Sequence, residues 1–194
     1  RGMIFVLTRL NVEIHRLPAM GEEVSLLTWH RDGKGAQLYR CYQLLDGRGT
    51  VLTEGVSAFA LVEVESHRPL RPTVFEQFGI GSQPDRRNGC PDPGRLRPPE
   101  GLTDAGERRV FWSDTDYNGH LNNTRYADIV CDAVPWEVWD TAQIRDFTIS
   151  YHREVPRGEC FTLRRARLAE DTFYFEGERE GKSAFEAQLI FKHL

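Results

Sequence analysis

Ile14-His15-Arg16-Leu17-Pro18-Ala19-Met20-Gly21-Glu22 is matched later in the chain by Tyr151-His152-Arg153-Glu154-Val155-Pro156-Arg157-Gly158-Glu159. In both stretches a β-rich run ends in His-Arg, a proline interrupts it, and Gly-Glu follows at the same separation. A second echo, Gly55-Val56-Ser57-Ala58-Phe59 against Gly181-Lys182-Ser183-Ala184-Phe185, comes in the same order. Either match alone is compatible with chance, because strand-turn-strand grammar recurs widely. Two matches in the same order point to a duplicated unit.

Outward from the first anchor, residues 3–64 read as an antiparallel meander with strands over 3–16, 22–30, 37–45 and 51–64. Asp32-Gly33-Lys34-Gly35 and Asp46-Gly47 supply the turn signals, since glycine accepts positive φ. Around the second anchor, strands are expected over 108–112, 144–153, 160–168, 172–179 and 183–193. A helix is expected over 121–134, with Tyr126, Val130, Ala133 and Val134 on one face and Pro135 ending it. Between the two series, residues 66–100 hold seven of the ten prolines together with Gly79, Gly81, Gly89 and Gly94. That composition suits a linker wrapped over a surface. The expected organisation is a first unit over 1–65, a linker over 66–106 and a second unit over 107–194. A strand and a helix precede the second His-Arg pair, against fourteen residues before the first. The first unit is therefore expected to be incomplete at its N-terminus, with its own strand and helix upstream of Arg1.

The bulk composition excludes several classes. With 40% hydrophobic and 28% charged residues the chain reads as a soluble globular protein. No apolar run is long enough for a membrane span. A net charge of −4 argues against nucleic acid as a partner. Cys41, Cys90, Cys131 and Cys160 form no CxxC pair and no metal-like spacing, and read as reduced thiols in a cytoplasmic protein.

The densest polar segment is Trp112-Ser113-Asp114-Thr115-Asp116-Tyr117-Asn118-Gly119-His120-Leu121-Asn122-Asn123-Thr124-Arg125-Tyr126, where a strand hands over to a helix. One reading is a capped turn, with Asn122 or Asn123 satisfying the first helical N–H groups. The other is a reactive site. Asp116, Asn118 and His120 would alternate along an extended loop toward one pocket, Gly119 would admit a substrate to the backbone, and the helix N-terminus would polarise a carbonyl. Taken alone, the segment leaves these readings evenly balanced.

Asp116-x-Asn118-x-His120-Leu121-Asn122-Asn123-x-x-Tyr126 resembles the active-site signature of plant and bacterial acyl-ACP thioesterases. The segments Val6-Leu7-Thr8-Arg9, Pro18-x-x-Gly21-Glu22, Thr28-Trp29 and Arg68-Pro69 resemble that family too. The resemblance implies an α+β tandem hotdog fold, each unit a long antiparallel sheet wrapped around a central helix, with no metal and no organic cofactor. It implies a catalytic set of Asp116, Asn118, His120 and Glu154 in the second unit, and hydrolysis of fatty acyl-ACP to free fatty acid. The partner implied is an acyl carrier protein bearing the acyl chain, with no nucleic acid and no membrane; a homodimer is one expectation for the assembly. Arg86 and Arg87, from the arginine-rich linker, are the expected docking charges for that acidic carrier.

Some family members carry a cysteine after the glutamate; here the position is Val155, so thiol attack from it is impossible. Phe5 stands where the family tends to have tryptophan. The expected chemistry is water activated by Glu154, with Asp116 as a possible sharer of the base role. Asn118 would hold the carbonyl or the water, and His120 would assist the leaving sulfur or orient Glu154. An acyl-CoA thioesterase, a 3-hydroxyacyl dehydratase and a non-catalytic acyl-binding module are the alternatives.

Overall fold

Long runs of β-branched and aromatic residues, broken by Gly and Pro, build one antiparallel sheet in each half of the chain. The computed structural model describes residues 2–66, 68–70 and 81–194. It comprises two compact units, Arg1–Gly94 and Arg95–Leu194.

In the first unit, β1 (Met3–Ile14), β2 (Val24–Lys34), β3 (Gln37–Asp46) and β4 (Val51–Glu63) lie in the order β2-β3-β4-β1. The short β5 (Pro69–Leu70) pairs with Leu61 and Val62 of β4. The β2–β3 turn falls at Gly35-Ala36, because Lys34 faces Gln37; the expected turn residues Asp32-Gly33 sit instead at a register shift within β2. One face of the sheet buries Trp29, Tyr39, Cys41, Val56 and Ala58 together with Cys90.

Residues 86–92 strap that face down. Trp29 Nε1 donates to the Arg86 carbonyl (2.8 Å), Asn88 Nδ2 to the Tyr42 and Gly55 carbonyls (3.0 and 2.9 Å), and Gly89 N to Glu54 Oε2 (3.0 Å). Arg31 pairs with Asp92 at 2.6 Å. The opposite face is a hollow of about 310 Å³ whose lining includes Leu10, Tyr42, Gly55, Ser57 and Phe59. Among the described residues this unit has no helix. The middle of the expected linker, 71–80, lies outside the described residues.

In the second unit, β6 (Thr103–Arg109) leads through a 3-10 turn at Trp112–Asp114 to α1 (Arg125–Asp132) and α2 (Trp136–Trp139). Then come β7 (Ala142–Tyr151), β8 (Cys160–Ala169), β9 (Thr172–Arg179) and β10 (Lys182–His193), in the sheet order β7-β10-β9-β8-β6. Phe185, Ala187, Leu189 and Phe191 of β10 are buried. Helix α1 lays Tyr126 edge-on against Phe185 (4.8 Å) and Tyr151 (5.2 Å). Arg165 donates to the Ala133 carbonyl at 2.5 Å, where the helix dipole favours a cation. The helix is shorter than the expected 121–134. Asn122 folds the chain into a turn, its Oδ1 accepting from Thr124 N at 3.0 Å, and the N-cap falls at Thr124.

Hydrogen bonds fix the register of the repeat. His15 N and Arg16 N both donate to the Leu52 carbonyl; His152 N and Arg153 N both donate to the Ala184 carbonyl. Each unit also carries one extra residue on the first strand at the same place, between Leu7 and Arg9 opposite Phe59/Ala58, and between Ile144 and Asp146 opposite Phe191/Ile190. Gly21 and Gly158 share a left-handed turn, with φ of 78° and 86°. Strand orders β2-β3-β4-β1 and β8-β9-β10-β7 correspond. This register equates Gly55 with Ala187, so the Gly55/Gly181 echo is a coincidence: Gly181 lies in the β9–β10 turn. It also equates Thr53, Gly55 and Ser57 with Phe185, Ala187 and Leu189. On β10 the corresponding face carries α1, which packs Tyr126 on Phe185.

Candidate active site

The segment from Asp116 to His120 is a tight hairpin turn, not the extended loop that simple alternation suggests. Asp116 N donates to the His120 carbonyl (2.9 Å) and Gly119 N to the Asp116 carbonyl (3.1 Å), while Thr115 and Leu121 bridge beneath. Asp116 Oδ1 accepts from Asn118 N (2.9 Å) and His120 N (3.2 Å), the habit of an Asp that stabilises a turn through its own side chain. Gly119 has φ 81°, so its glycine is required by the turn.

The backbone N–H groups of the turn itself are already committed. The N–H groups of Asn118, Gly119, His120, Leu121 and Asn122 all have acceptors within the protein. Helix α1 begins farther on, at Arg125.

Two further segments hold the turn. Buried Asp114 accepts from Phe111 N (2.9 Å) and pairs with Arg108 (3.3 Å), and its carbonyl receives Asn122 N (2.9 Å). The loop after β7 closes from the other side, with Leu121 N donating to the Val155 carbonyl (2.8 Å) and Arg157 N to the Gly119 carbonyl (2.9 Å). Val155 is fully buried and pins this loop, which leaves Glu154 to project outward. The sequence gives no sign of the Asp114–Arg108 pair, because a lone arginine on an edge strand carries no signal until its partner is placed.

This lacing brings two of the expected residues into direct contact. His120 Nδ1 lies 3.2 Å from Glu154 Oε2, with the His side chain 31% and the Glu side chain 68% exposed. Asp116 joins them through the backbone of the turn. Asn118 sits exposed at the tip, and its side chain makes no hydrogen bond among the described residues. Behind the turn, burial with Glu154 and Asp116 nearby raises the Tyr126 phenol.

The cysteines do not replace the missing nucleophile. Burial beside Asp128 and Asp132 pushes the Cys131 thiol up to about 11, and desolvation with Glu107 nearby raises Cys160, so neither is a thiolate near neutrality. Outside the site, Glu13, His15 and Glu54 bring one ligand atom each within 4.8 Å of one another. Glu54 is already committed to Gln43 Nε2 (2.6 Å) and Gly89 N, fastening the strap.

Two sheet units of matching topology, the second wound on a helix that follows an Asp-x-Asn-x-His turn, define a tandem hotdog protein. The model for the acyl-ACP thioesterase N-terminal domain matches residues 1–75, and that for the acyl-ACP thioesterase C-terminal domain matches 103–192. The chain belongs to the acyl-ACP thioesterase family. It is 24% identical over its whole length to a chloroplastic acyl-[acyl-carrier-protein] hydrolase of Cuphea viscosissima, covering 45% of that protein. It is 26% identical over 78% of its length to a chloroplastic oleoyl-acyl carrier protein thioesterase of Arabidopsis thaliana, covering 44% of it. The chain thus spans about half the length of the curated relatives it matches. The crystal structure of an acyl-ACP thioesterase from Bacteroides thetaiotaomicron shares the fold, with a TM-score of 0.88 at 23% identity over 98% of this chain and 77% of that one. No described helix is long and apolar enough to cross a membrane.

Proposed function

We infer that this protein hydrolyses fatty acyl-ACP thioesters to free fatty acid and carrier, ending acyl chain growth in fatty acid synthesis in the cytoplasm. The observation that carries the reading is the His120–Glu154 contact at 3.2 Å, locked onto the Asp116 turn by backbone hydrogen bonds. Glu154 takes a proton from water as the water oxygen attacks the thioester carbonyl carbon. The tetrahedral intermediate collapses with cleavage of the C–S bond, and the proton passes from Glu154 to the departing thiolate. A thiolate leaves readily, so this chemistry needs no strong acid and no cofactor. His120 orients Glu154 through Nδ1–H, and the Asn118 amide is the donor for the developing oxyanion.

Asp116 is assigned to holding the turn. Asp116→Asn keeps an Oδ1 acceptor for the two N–H groups, so kcat is expected to stay within about 10-fold of wild type. Asp116→Ala removes that acceptor and is expected to lose roughly 10²-fold, the scale of an ångström-sized misplacement of catalytic groups. Equal losses in the two variants would instead make Asp116 a base.

The hollow on the first unit, with Gly55 and Ser57 at its wall and Tyr42 Oη 3.1 Å from Ser57 Oγ, suits a hydrocarbon chain. Ser57→Phe is expected to move selectivity toward shorter acyl chains, with kcat/KM for the longest accepted chain falling by about 10–200-fold per methylene excluded. An unchanged chain-length profile would remove the hollow from substrate binding. The reading as a whole is tested by thiol release from matched acyl-ACPs and acyl-CoAs. Preferential cleavage of acyl-ACP supports it; cleavage of the CoA esters alone assigns a different carrier, and no cleavage of either leaves an acyl-binding module.

A further inference from the structure

Five of the six tyrosines have surroundings that account for their hydroxyls. Tyr117 is 97% exposed. Tyr39 Oη donates to Gln37 Oε1 (3.1 Å), and Tyr42 Oη meets Ser57 Oγ (3.1 Å). Tyr151 Oη donates to the Asn123 carbonyl (3.1 Å) and Tyr174 Oη to Glu186 Oε1 (2.9 Å). Tyr126 breaks the pattern. The residue is 2% exposed, yet its hydroxyl makes no hydrogen bond among the described residues. A buried Tyr O–H normally finds a partner, and leaving that bond unmade costs stability. The oxygen is not sealed within the packing, as Ser150 Oγ is. Such a hydroxyl is a donor left open for a group that arrives.

The packing holds this hydroxyl still, beside the proposed base. Tyr126 lies six residues after His120, and its ring stands edge-on to Tyr151 (5.2 Å), three residues before Glu154. The ring also meets Phe185 (4.8 Å), and Gly177 makes room for Phe185, because a Cβ at Gly177 would overlap its ring. Burial raises the phenol, and the charges of Glu154 and Asp116 add to the effect. The group therefore stays protonated near neutrality and serves as a donor, not as a base. Both carboxylates already have partners: Asp116 Oδ1 accepts from the turn N–H groups, and Glu154 Oε2 faces His120. The turn's own N–H groups, from Asn118 to Asn122, are likewise committed within the protein. The Asn118 amide thus reaches an oxyanion from the exposed tip, and the buried side is left to Tyr126.

We propose that Tyr126 is a second oxyanion donor, its hydroxyl hydrogen-bonding the thioester carbonyl oxygen from within the core; the assignment rests on the hydrolase reading. As water adds to the carbonyl carbon, the C=O electron pair moves onto oxygen and the phenol hydrogen bond strengthens. The phenol keeps its proton throughout, and the pair returns to the carbonyl as the C–S bond breaks. The test compares Tyr126→Phe with wild type on acyl-ACP. The kcat is expected to fall roughly 10²-fold, the scale of one lost oxyanion donor, with KM within about twofold of wild type. Affinity for the matching alkyl trifluoromethyl ketone, which hydrates to a tetrahedral adduct, should fall by a similar factor, while affinity for the free fatty acid holds. The melting temperature should hold or rise, because Phe keeps the ring contacts and removes a hydroxyl with no partner. A kcat within about threefold of wild type, or a loss accompanied by a lower melting temperature and weaker fatty acid binding, overturns the assignment while the hydrolase reading stands. A wild type that cleaves no acyl thioester overturns that reading, and the assignment with it.

Discussion

Glu154→Gln is expected to lower kcat on acyl-ACP by about 10²–10⁴-fold, the contribution of a positioned general base, with KM nearly unchanged. The amide keeps the shape of the carboxylate and can still accept from His120 Nδ1, but it cannot take a proton from water. Stability should be untouched: the Glu154 side chain is 68% exposed, and exposed ion pairs contribute little. Steady-state kinetics and a melting curve on the same preparation separate the two effects. A kcat loss below about 10-fold at unchanged melting temperature would remove Glu154 from the base role.

Phe185→Ala is expected to give the largest stability loss, about 3–5 kcal/mol, because a buried ring is removed and its site cannot fully collapse. Phe185 is fully buried between Tyr126 (4.8 Å) and Phe161 (5.7 Å), so it joins α1 to the sheet. Tyr126 stands in the first turn of α1, just past the Asp116–His120 turn. Activity should therefore fall on warming before the sheet unfolds, as α1 loosens. Urea unfolding followed by far-UV circular dichroism measures the change, and Phe185→Leu should lose markedly less. A loss under about 1 kcal/mol for the alanine variant would mean that the aromatic contacts do not hold the helix.

Strong local signals made most of the fold legible in the sequence. The boundaries of β9 and the starts of β1, β3, β4 and β8 follow from apolar runs bounded by turn residues. Strand β6 did not show fully, because Thr-Asp-Ala-Gly-Glu-Arg-Arg has no apolar period; it is made a strand by pairing with β8, from Thr103 opposite Arg165 to Arg109 opposite Cys160. The Gly55/Gly181 echo misled because composition carries no register, and the carbonyls of Leu52 and Ala184 supply it. At the candidate site, the polar cluster is legible in the sequence and its arrangement is not. Alternation predicted a shared direction for Asp116, Asn118 and His120, yet Asp116 turns back on its own backbone and the chain closes into a hairpin. Which side chain Glu154 meets depends on the pairing of Leu121 with Val155, a contact between segments thirty-odd residues apart.

The most direct test of the chemistry is a single turnover of acyl-ACP in ¹⁸O-enriched water with enzyme in excess. If Glu154 activates water, the released fatty acid carries one ¹⁸O and the peptide containing Glu154 stays unlabelled. Unlabelled fatty acid, with ¹⁸O in the Glu154 carboxyl group, would show that Glu154 is itself the nucleophile and would contradict the mechanism.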